Sequence, residues 1–193
     1  MLKKITLLSV LMLALCLQLN AQAKFGLKGG LNLSKEKFED SGVSVESENR
    51  TGFHVGFFIQ APITEKLFFQ PEVFYSQEGG ELNVSGFTVK DELDFVNVPL
   101  LLKIAPAKSF NLVVGPQIGF LVSAKQDVNG TKGDIEGVKS VNTSFSFGAG
   151  FNITDEIEIY GRYNIGLVNL NESNSGSSEI KMNTLQFGLG ISL

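Results

Sequence analysis

The residues with the means to do chemistry are ionisable side chains on strand faces that oppose an apolar face. Six stand out: Lys28, His54, Glu72, Lys103, Glu158 and Arg162. Facing one interior, they suit a proton relay, a gate or a small polar ligand site. They suit equally an ion-pair network that fills a narrow space. Three cations, Lys28, Lys103 and Arg162, meet two carboxylates, so nearly complete pairing is available. Unpaired buried charge carries a large desolvation cost, which favours the structural network. His54 is the only imidazole of the chain. A hydrolase needs a nucleophile, a base and an orienting acid, and neither Ser76 nor Ser123 stands at a supporting spacing. No catalytic residues are assigned and no enzyme is expected. One Cys and one His exclude an intramolecular disulfide, a thiolate zinc cluster and a multi-His centre, so no metal or cofactor is expected.

Weaker signals lie outside that set. Residues 35–50 are acidic and could hold a cation or a partner, although such runs more often serve solubility. Asp127-x-Asn129-Gly130 with Asp134 has part of a calcium-loop pattern but lacks the late Glu. Gly29-Gly30 has no following helix to supply a phosphate-binding N-terminus.

The elements that carry these residues follow from the rest of the chain. It has 193 residues, 43% hydrophobic, with 21 Gly, 16 Phe, no Trp and a mean hydropathy of +0.14. A formal charge of −4 argues against nucleic acid as a partner. Lys3 and Lys4 precede an apolar stretch from Ile5 to Leu17, and Ala21-Gln22-Ala23 follows. That is the layout of a secretory signal over 1–23, too short for a membrane helix. Cys16 follows Leu15 where a lipobox wants a small residue, so it is expected to leave with the signal. The remaining domain, 24–193, has no cysteine and shifts from −4 to −6.

Beyond Lys24, apolar residues recur at every second position, a strand signal. Leu185, Phe187, Leu189, Ile191 and Leu193 oppose Gln186, Gly188, Gly190 and Ser192. Similar alternation marks Phe25–Leu33, Phe53–Ile59, Phe145–Ile153 and Ile157–Leu167, and less cleanly 67–77, 93–105 and 110–124. Eight strands of about ten residues are expected. Short turns (62–66, 106–109, 154–156) alternate with longer polar segments (35–50, 78–91, 125–142, 171–180). Period two cannot tell a soluble barrel from a membrane barrel, because only the wet side differs. The polar face is mostly Gly, Ser, Asn and Gln, which suits a crowded interior rather than a solvated surface. The expected fold is therefore all-β: an eight-stranded antiparallel up-and-down transmembrane β-barrel of outer-membrane type. Pro71, Pro99 and Pro116 fall within strands, where bulges or local irregularity are expected. Phe25, Phe57, Phe69, Phe110 and Phe151 project outward near the short turns. Phe58, Phe68, Phe74 and Phe95 project inward, which requires either a slipped phase or a packed lumen.

The chain also resembles the PorT-like outer-membrane β-barrel proteins of Bacteroidetes. The resemblance is carried by Gly26-Leu27-Lys28-Gly29-Gly30-Leu31-Asn32-Leu33-Ser34, by Gln70-Pro71-Glu72, and by Tyr75-Ser76-Gln77-Glu78-Gly79-Gly80. Val98-Pro99-Leu100-Leu101-Leu102-Lys103, Gly115-Pro116 and Tyr163-Asn164-Ile165-Gly166-Leu167 extend it. The tail Gln186-x-Gly188-x-x-Ile191-x-Leu193 is similar to the signal read by barrel-assembly machinery, with Leu193 in place of the commoner Phe. The resemblance implies a fold and a location, and little about activity.

The function expected from sequence is an integral outer-membrane barrel, monomeric, with a narrow or side-chain-filled lumen. Its role would be membrane-structural or loop-mediated interaction with a protein partner, with both termini in the periplasm. Its other partners would be outer-membrane lipid and the assembly machinery. A small pore or transport component is one alternative. A soluble lipocalin-like barrel with an apolar ligand is another.

Overall fold

The computed structural model describes residues 23–40, 43–84, 87–172 and 179–193. The expected signal segment, apart from Ala23, lies outside the described residues. Ten strands follow in order: β1 (Lys24–Asp40), β2 (Val43–Glu46), β3 (Glu48–Pro62), β4 (Leu67–Val84), β5 (Phe87–Ala107), β6 (Phe110–Val128), β7 (Thr131–Asp134), β8 (Val141–Asn152), β9 (Ile157–Gly166) and β10 (Glu179–Ser192). Every pairing is antiparallel, and β10 pairs with β1. The sheet therefore closes. The ring has eight staves, because β2 pairs only with the upper part of β1 and β7 only with the upper part of β6.

Alternation decides which way each stave faces. Phe57 is 68% exposed on the outer wall while its neighbour Phe58 is 3% exposed within. The five outward phenylalanines named above are all on the outer surface. Phe58, Phe74 and Phe95 are buried inside and Phe68 is half-buried, so the expected inward phase holds. Small positions opposite large ones make this packing possible. A Cβ on Gly26 would lie 2.3 Å from Phe58 Cζ, and one on Gly188 would lie 2.8 Å from the Tyr160 hydroxyl.

The irregularity expected at the prolines takes the form of missing rungs rather than bulges. The register shifts fall instead at Asn49/His54, Asp94/Phe95 and Ile104/Ala107. At each proline the ladder skips two rungs and resumes in phase. Pairing steps from Phe58–Glu72 to Ala61–Phe69 at Pro71, and from Pro71–Leu100 to Phe74–Asn97 at Pro99. It steps from Pro99–Gln117 to Leu102–Val114 at Pro116. Proline lacks the N–H for a rung, yet neighbouring rungs hold the strands in register.

A second difference concerns the long polar segments. Much of 35–50, 78–91 and 125–142 is strand rather than loop. β5 has 21 residues, about twice what a tilted strand needs to cross a bilayer. Polar residues continue the ladder because the backbone still gains hydrogen bonds beyond the apolar belt. The calcium-like string is the tight turn between β6 and β7. Asn129 (φ 51°) and Gly130 (φ 88°) occupy left-handed conformations, and Asp127 Oδ1 accepts from Gly130 N at 2.7 Å. Asn-Gly is the pair such a hairpin turn demands.

Candidate functional site

The interior of the ring brings all six ionisable residues to the same buried face, each 8% exposed or less. β1 delivers Lys28, β3 His54, β4 Glu72, β5 Lys103, and β9 both Glu158 and Arg162. Each stands at an inward position of its stave, between outward apolar neighbours.

They form two clusters. At the first, the Glu72 carboxylate accepts from Lys28 Nζ (3.0 Å), Arg162 Nη2 (2.9 Å) and Gln70 Nε2 (2.7 Å). Aromatic faces complete the desolvated surroundings of the cations. Lys28 Nζ lies 4.4 Å from the Tyr160 ring centre, and the Arg162 guanidinium 5.5 Å from that of Phe74. At the second, nearer the short turns, Lys103 Nζ donates to Glu158 Oε2 at 2.6 Å. This pair lies on the wall of a recess of about 580 Å³ that opens at the end holding Lys24 and Ser192.

Further polar groups continue the network away from that recess. His54 Nδ1 lies 2.7 Å from Asn32 Oδ1, and His54 Nε2 pairs with the Tyr160 hydroxyl. A neutral imidazole fits: Nδ1–H donates to the amide oxygen and Nε2 accepts from the phenol. The Asn32 amide nitrogen donates to Ser76 Oγ, Gln77 O and Phe53 O. Ser76 Oγ and Asn97 Nδ2 donate to Glu78 Oε1, and Thr184 Oγ1 to Glu78 Oε2. Across the β4–β5 pairing, Phe95 stands opposite Ser76 and Leu93 opposite Glu78, and with Leu170 and Met182 they form an apolar cap against which Leu121, Ile135, Val138 and Val168 pack.

Tyr160, Asn32, Gln186 and Glu78 belong to this network and were missing from the sequence-derived set. Tyr160 sits between Glu158 and Arg162 at the same period, so its phase was available. Glu78 fell within what read as a loop, and strand continuation is what turns it inward. The tail motif divides by face: Gln186 and Gly188 look into the lumen, whereas Ile191 and Leu193 lie on the outer wall.

Among the described residues, no group of three or more His, Cys, Asp or Glu side chains is placed to hold a metal ion. Several charges outside the belt are paired. Lys132 of β7 bonds to Glu92 at 2.9 Å, and that hydrogen bond raises its pKa above the ordinary lysine value.

An antiparallel ring with apolar side chains outside and a hydrogen-bonded polar filling inside is a transmembrane β-barrel. A soluble lipocalin-like barrel has the reverse arrangement, and its exposed wall would be polar. The family profile of the outer membrane protein beta-barrel domain matches residues 18–172, and the chain belongs to that family. Two crystal structures share the architecture. Neisserial surface protein A superposes with a TM-score of 0.59 at 14% identity, covering 89% of this chain and 99% of that one. The attachment invasion locus protein Ail of Yersinia pestis gives 0.53 at 14% identity, with the same coverage. No curated protein matches the sequence. The chain is an outer-membrane barrel by family and by fold.

Proposed function

We propose that this barrel is a closed membrane-embedded platform, not a channel or an enzyme. It would act as a monomer through the strand extensions beyond its belt, presenting them to a protein partner. The carrying observation is the stack of side chains along the lumen: Lys103–Glu158, then Lys28–Glu72–Arg162, then His54–Asn32–Ser76–Glu78 with the apolar cap beside and above them. The polar stack is the ion-pair network weighed from sequence, and its role is structural: it fixes the staves from within. The two termini belong in the periplasm, on the side of the short turns. Residues 1–23 serve as a signal for export, and Gln186, Gly188, Ile191 and Leu193 as the signal for barrel assembly. The motifs beginning with Gly26–Ser34 support a place among the PorT-like barrels of Bacteroidetes. No role in secretion follows from them.

The test is electrical and biochemical. Purified barrel inserted into planar bilayers should show no discrete conductance, and pull-down from intact outer membrane should recover a protein partner. Stable unitary currents from wild-type protein would overturn the closed platform. They would favour the second reading, a small pore entered from the recess beside Lys103 and Glu158.

A further inference from the structure

On β8 and β9 the outer wall's run of large side chains is interrupted at two paired positions. Ala149 of β8 and Gly161 of β9 are cross-strand neighbours, and both point outward. They floor two adjoining depressions of about 610 and 490 Å³, walled by Leu112, Phe147, Phe151, Ile159, Tyr163 and Phe187. The barrel does not require the glycine. A Cβ on Gly161 would meet the Phe187 ring at 3.4 Å and Gln186 O at 3.9 Å, ordinary contacts, whereas one on inward Gly30 would lie 2.0 Å from Phe187 O. The groove is thus a feature of the wall's outer surface rather than a by-product of lumen packing.

Above the groove, charges are layered. The registers of β9, β10 and β1 align Gly161–Phe187–Leu31, then Tyr163–Leu185–Leu33, then Ile165–Asn183–Lys35. Lys181 and Lys37 face each other one outward row higher, and Glu179 and Glu39 one row beyond those. At about 3.3 Å per residue, Lys35 stands about 13 Å and Lys181 about 20 Å along the strands from the groove floor. The order from the belt outward is therefore apolar groove, ammonium groups, then the Glu39 and Glu179 carboxylates, with Glu46 level with Lys37 across the β1–β2 pairing. Glu46, Glu39 and Glu179 pair with the three lysines through Lys35–Glu46, Lys37–Glu39, Lys181–Glu39 and Lys181–Glu179. These are partly exposed pairs, weak enough for a phosphate to compete.

We infer that this wall is a binding site for one phosphate-bearing membrane lipid, its acyl chain in the Ala149–Gly161 groove and its phosphate at Lys35, Lys37 and Lys181. A lipid has the same order of parts: chain, then phosphate, then any outer ammonium, which the carboxylates would receive. The inference rests on the membrane-embedded reading of the wall. A second copy of the chain fits less well, since a two-fold contact would set one concave groove against another.

Native mass spectrometry of the full barrel in detergent, with phosphatidylglycerol, phosphatidylethanolamine or galactosyl diacylglycerol added, tests the site. Wild type should retain one copy of either phospholipid at least about five-fold more than the phosphate-free lipid. Ala149→Leu with Gly161→Leu should cut retention of both phospholipids about five-fold. Lys35→Gln with Lys37→Gln and Lys181→Gln, which leaves the belt untouched, should abolish the preference for phosphate. Phosphatidylglycerol bound far better than phosphatidylethanolamine would keep the phosphate contact and remove the role given to the carboxylates. Equal retention of all three lipids, unchanged retention in the groove variant, or a dimer in place of the lipid adduct would overturn the inference. A heat-shift gel run beside it separates the two readings. Loss of the shift in wild type counts against the membrane barrel, and an intact shift with no lipid preference counts against this site alone.

Discussion

Replacing Glu72 by Gln keeps the shape of the side chain and removes its charge. In the native barrel that carboxylate accepts from two cations and one amide. The Arg162 and Glu72 side chains are each 1% exposed, so water does not screen the pair. Two charge-assisted hydrogen bonds are worth about 1.5–3 kcal/mol each, and breaking a buried ion pair by removing one partner costs about 3–5 kcal/mol. The range the two figures share sets the expectation: Glu72→Gln destabilises the barrel by about 3–5 kcal/mol. The assay is urea unfolding of protein folded into lipid vesicles, with the folded fraction read from heat-shift gels. Arg162→Met on the Glu72→Gln background removes one of the stranded cations. The two changes should therefore be non-additive, with a coupling of about 1–3 kcal/mol. A cost below about 1 kcal/mol for Glu72→Gln, the value of an exposed pair, would refute the claim that these charges hold the staves together.

Three further outcomes follow from the same geometry. Arg162→Ala should lower the thermal unfolding temperature in detergent, but by less than Glu72→Gln, because Lys28 still pairs with the carboxylate; an unchanged transition would contradict this. Gly30→Ala should cost at least the roughly 1–3 kcal/mol of an overpacked site, since its Cβ meets backbone at 2.0 Å, while Gly161→Ala should fold as wild type. Equal yields of folded protein from the two variants would reverse the assignment of inward and outward glycines. Leu189→Arg places a charge in the middle of the apolar run of β10 and should cost about 2–4 kcal/mol in a bilayer. Little effect would mean that this face does not meet lipid.

Much of the architecture was legible in the chain itself. Alternation of Phe145, Phe147, Ala149 and Phe151 with Ser144, Ser146, Gly148 and Gly150 both marks a strand and separates its faces. A polar face so poor in charge does not suit bulk water, so composition by itself points to the inside-out arrangement. The lumen phase of Lys28, His54, Glu72, Lys103, Glu158 and Arg162 came from the same period. Length was harder to read. Beyond the belt, hydrophobicity no longer marks a strand, and backbone hydrogen bonding has no period in side-chain polarity. Residues such as Glu78 were consequently read as loop.

What the sequence by itself determined is the face to which each side chain belongs, because a strand's period of two needs no knowledge of its neighbours. Only the tertiary structure decided which inward residues meet. Glu72 and Arg162 are 90 positions apart, and their contact depends on ring closure and on the register of every stave between them. Closure also set the depth of Gly161 beneath Lys35 and Lys181. Those three residues share one wall because β10 pairs with both β9 and β1, an adjacency that strand alternation does not encode.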